Sequence, residues 1–311
     1  MSTKQYNDII VEITGQVGTI KLNRPHALNS FGGKLLQETI DAVRDLNEHP
    51  DTVFTVLTGQ GRYFSAGADI RGGTLVNFGP FANNTEAKLA FSTQLFPGVE
   101  LVRSIIEHQK VLVVALNGPA VGGGAAWFLG LADIIFAVES SFLQVPFSAL
   151  GLVPENGSIR NFAQSMGVHR ANDFLMFGRK LTAQELEQWG LVNRILPAAG
   201  FHEGVEAFLQ EQLRVNDGRS MMLAKQLQNA PLRAERLLAL YDAADALAER
   251  FVDGTPLRRL AMKGAELEVD MYEVTGLGTV GFNANLIIDF FLNGFEGSEV
   301  HVSKIQQVSE P

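Results

Sequence analysis

Cysteine is absent from the 311-residue chain. Disulfides, thiolate-bound metals and cysteine nucleophiles are excluded with it, although a missing residue type does not locate a protein in any compartment. Histidine is sparse: His26, His49, His108, His169, His202 and His301 lie far apart with no H-E-x-x-H spacing. Metal ligation has little support, and packing or surface roles are expected of them. No apolar run reaches the roughly 18 residues of a membrane-spanning helix. The opening residues, MSTKQYNDII, lack a basic stretch followed by an apolar one, so no secretory signal is expected. The chain ends in Ser-Glu-Pro rather than a tripeptide of the SKL kind. Formal net charge is −9, which argues against a general nucleic-acid or anionic-membrane surface while leaving room for a local basic pocket. There is no G-x-S-x-G elbow, so an α/β-type serine hydrolase is disfavoured.

What is present suits a globular core: 46% hydrophobic and 19% charged residues. The runs at 9–13 and 17–22 are rich in β-branched residues and flank Thr14-Gly15-Gln16, which predicts a hairpin. Leu35, Leu36, Ile40, Val43 and Leu46 recur at helical spacing between Gly33 and Asn47. Residues 51–58 and 111–116 are nearly continuous apolar runs, the pattern of strands buried on both faces. A helix is expected over 86–108 with a break near Pro97-Gly98, another over 125–131, and a strand over 133–138. Ser158 to Met166 reads as a helix stopped by Gly167, and Thr182 with Glu185 has capping-box spacing. Helical patterns dominate from Ala171 to Leu260. Alternation followed by helices predicts an α/β core with an appended helical region.

One stretch stands apart. Gly122, Gly123 and Gly124 lie between a strand-like and a helix-like run, and Glu155 follows in a proline- and glycine-flanked loop. Bare glycines in such a place either permit close packing or present backbone N–H groups to a developing negative charge. No Gly-Lys-Ser/Thr follows them, which excludes a Walker-type phosphate loop. Read locally, Glu155 is a carboxylate of the kind usually solvated or favourably placed near a helix start, and the loop Ser65-Ala66-Gly67-Ala68-Asp69-Ile70 is equally a turn in which Asp69 satisfies nearby amides. Trp127 and Phe128, beside the glycines, are expected in the core.

In order, LNRPHALN at 22–29, RYFSAGADI at 62–70, NGPAVGGGAA at 117–126, ADIIFAVESSFLQVPFSALGLVP at 132–154 and LMFGRKLTAQELEQWGLVNRIL at 175–196 resemble the crotonase, or enoyl-CoA hydratase/isomerase, superfamily. The resemblance spans about residues 9–258. It implies an α/β fold: a spiral of ββα turns over 1–200, a helical trimerisation region over 201–260, and assembly as a homotrimer or dimer of trimers. It also implies an acyl-CoA substrate and no separate cofactor, because the substrate carries coenzyme A. Carried onto this sequence, the two N–H groups holding the thioester oxygen belong to Ala68 and Gly123. Substrate contacts fall to Ser65, Ala66, Gly67, Asp69, Ile70 and Gly122, with Arg24 near the coenzyme A phosphates.

Departures from the pattern narrow the expected reaction. Hydratases of the family carry a glutamate two residues after the glycines and another after a proline; here those positions are Ala126 and Phe147. Syn addition of water needs carboxylates that hold and activate it. Glu155 instead matches the base of peroxisomal-type Δ3,Δ2-enoyl-CoA isomerases, and FVDGTPLRR at 251–259 resembles the closing helix of that group. The resemblance therefore implies an isomerase in which Glu155 is the single acid/base. Hydration or another crotonase reaction in fatty-acid or secondary metabolism, or acyl-CoA binding without turnover, are its alternatives. Peroxisomal residence follows from the same resemblance, and cytoplasmic residence from the missing targeting tripeptide. Residues 261–311 depart from the family: Gly276, Gly278 and Gly281 form a G-x-G-x-x-G like the first βαβ of a dinucleotide fold. One such unit cannot bury both faces of a sheet, so a truncated fusion or an erroneous gene model is expected rather than NAD(P) binding.

Overall fold

The computed structural model describes residues 4–69, 80–260 and 262. The chain divides into two compact units, Met1–Leu260 and Ala261–Pro311. The Rossmann-like reading of the tail and the assignment to Ile70 lie outside the described residues.

The hairpin forms as expected. β1 (Ile9–Thr14) and β2 (Val17–Leu22) pair antiparallel with Thr14 opposite Val17, and Gly15 takes φ +57° in the tight turn. After α1 (Leu35–Glu48), β3 (Phe54–Gly59) joins β2 in parallel and is buried along its whole length. β4 (Val111–Leu116) and β6 (Ile134–Val138) extend the parallel sheet. Between and after them, the short β5 (Ala120–Val121) and β7 (Phe142–Gln144) form a second sheet with β8 (Leu181–Thr182). β9 (Arg194–Leu196) closes the large sheet in the order β1-β2-β3-β4-β6-β9. Helices dominate after Ala171 as expected, and the short β8 and β9 interrupt them: too short to show periodicity, they form where a sheet edge was available to pair with.

Alternate side chains divide the large sheet between two apolar layers. Ile20, Leu57, Leu112 and Val114 face α1 and α2 (Asn84–Ile106). Phe54, Val56, Val113 and Phe136 face α7 (Phe201–Val215), which contributes Phe201, Val205 and Leu209. Each fully buried side chain of this kind contributes roughly 1.5–3 kcal/mol. The continuous apolar runs were therefore the mark of two covered faces.

Two expectations about helices need correction. α2 runs unbroken through Pro97. It packs along α9 (Arg233–Val252) in the cluster of Ala87, Phe91, Leu247, Ala248 and Phe251, and this tertiary burial outweighs the local cost of the proline. The helix expected at 125–131 is only one turn, α3 (Gly123–Ala126), followed by irregular turns to Leu131. α4 (Ser158–Met166), α5 (Val168–Phe177) and the capping box at the start of α6 (Ala183–Gln188) form where expected, with Ser158 as the first residue of α4 rather than its cap. α8 (Gly218–Asn229) follows α7, and α9 ends before a turn in which Gly254 takes φ +74°. The stretch 251–259 is thus divided between two helical segments.

Candidate active site

β3 and β4 end side by side, so the loops that leave them, 60–69 and 117–122, meet over the same end of the sheet. The Val121 N–H donates to the Ser65 carbonyl (2.9 Å) and the Phe64 N–H to the Pro119 carbonyl (3.0 Å). Gly67, at φ +84°, lies so close to the other loop that an added Cβ would sit 2.7 Å from the Val121 oxygen and 3.1 Å from the Gly123 nitrogen. Only a residue without a side chain satisfies both the dihedral and the contact. Gly122 adopts φ 55°, ψ −127° and donates its N–H to the Gln144 carbonyl (2.8 Å), which turns the chain into α3.

Two backbone donors are left over. Among the described residues, neither the Ala68 nor the Gly123 N–H donates to a protein acceptor. Ala68 is exposed and Gly123 is the first residue of α3. Backbone N–H groups without protein partners are suited to an external acceptor.

Several of the other residues named from the sequence support this loop from within. Ser65 is buried and donates its hydroxyl to the Asn29 carbonyl (2.8 Å), while the Gly67 N–H donates to Ser65 Oγ (3.2 Å). Ala66 donates to the Leu28 carbonyl (2.9 Å). Arg24 is largely buried: its guanidinium pairs with Asp69 (3.0 Å) and donates to the Ser30 carbonyl (2.7 Å). It thus ties the 22–29 segment to the donor loop. Sequence reasoning missed Asn29, which is fully buried at φ 54° and donates to the Gln60 (2.9 Å) and Tyr63 (2.8 Å) carbonyls. Its place in LNRPHALN, ahead of the donor loop, was the available signal.

Glu155 opens the 3-10 turn Glu155–Gly157 that leads into α4. Asn156 follows in the left-handed region (φ 51°, ψ 40°) and is buried. The preceding Leu152 and Val153 pack into the α2–α9 cluster. Part of Glu155 remains accessible, yet protein atoms crowd the carboxylate. Desolvation raises its pKa from the ordinary 4.5 to about 7, with the hydrogen bond from Trp127 opposing the rise. That bond runs from Trp127 Nε1 to Glu155 Oε2 at 3.1 Å. Trp127 is in the core, as expected, but also touches Glu155, which its sequence position did not reveal.

Ala126 and Phe147 are both buried, 1% and 2% exposed. No carboxylate stands at either position where the hydratase pattern would place one. Asp69, the acidic residue of the donor loop, pairs with Arg24 at 3.0 Å. No group of acidic and histidine residues suited to a metal occurs among the described residues. None of the described helices is long and apolar enough to cross a membrane.

A six-stranded, mostly parallel sheet, a small second sheet and the helices that follow define an α/β fold that carries two amides without protein partners and one carboxylate whose pKa is raised by desolvation. The chain belongs to the enoyl-CoA hydratase/isomerase family, whose model matches residues 12–257. It is 35% identical over 192 residues to a Delta(3,5)-Delta(2,4)-dienoyl-CoA isomerase of Pyricularia oryzae, covering 60% of this chain and 67% of that protein. It is 33% identical to the enoyl-CoA delta isomerase 2 of Rattus norvegicus across 70% of its own length, and spans 54% of that longer protein. A putative enoyl-CoA hydratase/isomerase from Acinetobacter baumannii superposes with a TM-score of 0.67 at 26% identity, over 79% of this chain and 98% of that one. The crotonase-type spiral and its C-terminal helices are thereby shown.

Proposed function

We propose that the protein is an enoyl-CoA isomerase that moves a 3-double bond to the trans-2 position of an acyl-CoA. One observation carries the reading: Glu155, a carboxylate whose pKa desolvation raises to about 7, is bonded to Trp127, whose ring packs beside Gly123, while Ala126 and Phe147 occupy the positions where water addition would need acids. With the thioester oxygen accepting from the Ala68 and Gly123 N–H groups, Glu155 removes a proton from C2. The C2–H electron pair delocalises into a dienolate whose negative charge rests on the oxygen, where the two donors stabilise it. The same carboxyl then delivers the proton to C4, leaving the double bond between C2 and C3. A pKa near 7 suits one group that must be base and acid in turn at neutral pH.

The relative named as a dienoyl isomerase suggests a second substrate, a 3,5-dienoyl-CoA. Its conversion carries a proton from C2 to C6, farther than one fixed carboxylate reaches, so the single base favours the C2-to-C4 shift. The trimer belongs to the same proposal: Leu223 and Leu227 on α8, with Leu238 and Tyr241 on α9, are exposed apolar side chains that assembly would cover. The test compares wild type and Glu155→Gln on 3-enoyl-CoA and 3,5-dienoyl-CoA substrates, following the conjugated product by ultraviolet absorbance. Glu155→Gln is expected to lose at least about a thousandfold in kcat while still binding acyl-CoA. Full activity in that variant refutes the assignment.

A further inference from the structure

Trp127 meets the site through three separate contacts. Its indole Nε1 donates to Glu155 Oε2. Its ring edge fills the space beside Gly123, where an added Cβ would lie 2.9 Å from Cε2, and its own N–H donates to the Gly123 carbonyl (3.1 Å). Its face stacks on Phe31 with centroids 4.6 Å apart and planes 13° from parallel. Phe31 in turn donates its N–H to the Gly67 carbonyl (2.7 Å), one residue before Ala68, and forms a bridge with Ala68. From behind, α2 closes on the ring at Gly98, where a Cβ would come within 3.2 Å of Cη2. The base and both unpartnered amides are therefore connected through one side chain.

We infer that Trp127 is a positioning residue that pins one oxygen of Glu155 and confines the travelling proton to the other. An indole N–H only donates, so the oxygen it engages must accept in both protonation states. Oε2 accepts from Trp127 whether Glu155 is carboxylate or acid. The proton taken from the substrate then resides on Oε1, and the same oxygen returns it. Removal and delivery occur from one face of the acyl chain without rotation of the carboxyl group. The stack on Phe31 keeps this oxygen at a fixed distance from the amides that hold the thioester, and errors near 1 Å in such an arrangement cost about a hundredfold in rate. This rests on the isomerase reading above, in which Glu155 moves the proton.

Trp127→Phe keeps the stack and removes the donor. The bond opposes the desolvation of the carboxylate, so its loss raises the Glu155 pKa. The acid limb of kcat/KM is expected to move up by about one pH unit, with kcat down about tenfold to a hundredfold and KM within about twofold. A packing role alone would reduce the amount of folded enzyme and leave the pH profile in place. A second readout avoids any folding defect: the chain has two tryptophans, so in Trp189→Phe the emission reports Trp127. That emission is expected to titrate with one proton near pH 7, and to lose the titration when Glu155→Gln is added. An unshifted profile in Trp127→Phe, or flat emission across neutral pH in Trp189→Phe, overturns the inference while an inactive Glu155→Gln leaves the isomerase reading standing. Full activity of Glu155→Gln overturns both.

Discussion

A carboxylate held in a desolvated site destabilises the fold that holds it, and for Glu155 the cost follows from its environment. In the unfolded chain the carboxyl takes its ordinary value of 4.5, and in the folded chain about 7. Between those values the folded state binds more protons than the unfolded state. Stability therefore falls as pH rises through this window, and the whole penalty is present above about pH 7. At about 1.4 kcal/mol per pH unit, the difference amounts to about 3 kcal/mol. Glu155→Gln is nearly isosteric, carries no charge at any pH, and keeps an oxygen for Trp127 to donate to. The variant is expected to match wild type near pH 4.5 and to exceed it by about 3 kcal/mol near pH 8. Urea unfolding followed by far-ultraviolet circular dichroism at several pH values measures the gap. A gap independent of pH, or one that closes toward alkaline pH, refutes the reasoning that burial of the charged form sets the pKa.

Two further substitutions test the frame around the site. Gly67→Ala places a methyl group 2.7 Å from the Val121 oxygen at a φ of +84°, so the two loops must separate. About 2–4 kcal/mol of stability is expected to be lost, with a fall in kcat persisting in the fraction that remains folded, as chemical denaturation and assay together would show. Lys225 is buried, pairs with Asp133 (2.8 Å) and donates to the Lys110 carbonyl (2.6 Å) beneath the far end of β4. Lys225→Met removes the cation from that pair and leaves Asp133 Oδ2 with the Leu112 N–H (2.7 Å). It is expected to cost about 3 kcal/mol while leaving the kcat of folded enzyme unchanged, because neither residue of the pair is hydrogen-bonded or ion-paired to Glu155.

Much of the frame was legible because its signals are local. The β-branched runs around Gly15, the helical spacing of Leu35 to Leu46 and the Thr182–Glu185 capping box each concern residues a few positions apart, and each formed. Misreadings arose where distant packing overrode a local rule. Pro97 ought to end a helix, yet burial of Phe91 against Phe251 carries α2 past it. β9 is three residues long and is a strand only because β6 offers it an edge. The site was legible as a set of residue types in order, not as a geometry. Arg24 illustrates the difference: the sequence presents a basic residue near the donor loop, and the fold commits it to Asp69.

By itself, the amino-acid order determined the strands buried on both faces, the glycines that permit a tight turn before α3, and the absence of acids at 126 and 147. These depend on composition and near neighbours. Only the tertiary structure decided that Trp127 and Glu155, 28 residues apart, meet at 3.1 Å. The same packing stacks Phe31 on that indole and removes water from the carboxylate until its pKa approaches 7. Desolvation and a hydrogen bond between loops are properties of packed surroundings, and no periodicity along the chain encodes which side chains will supply them.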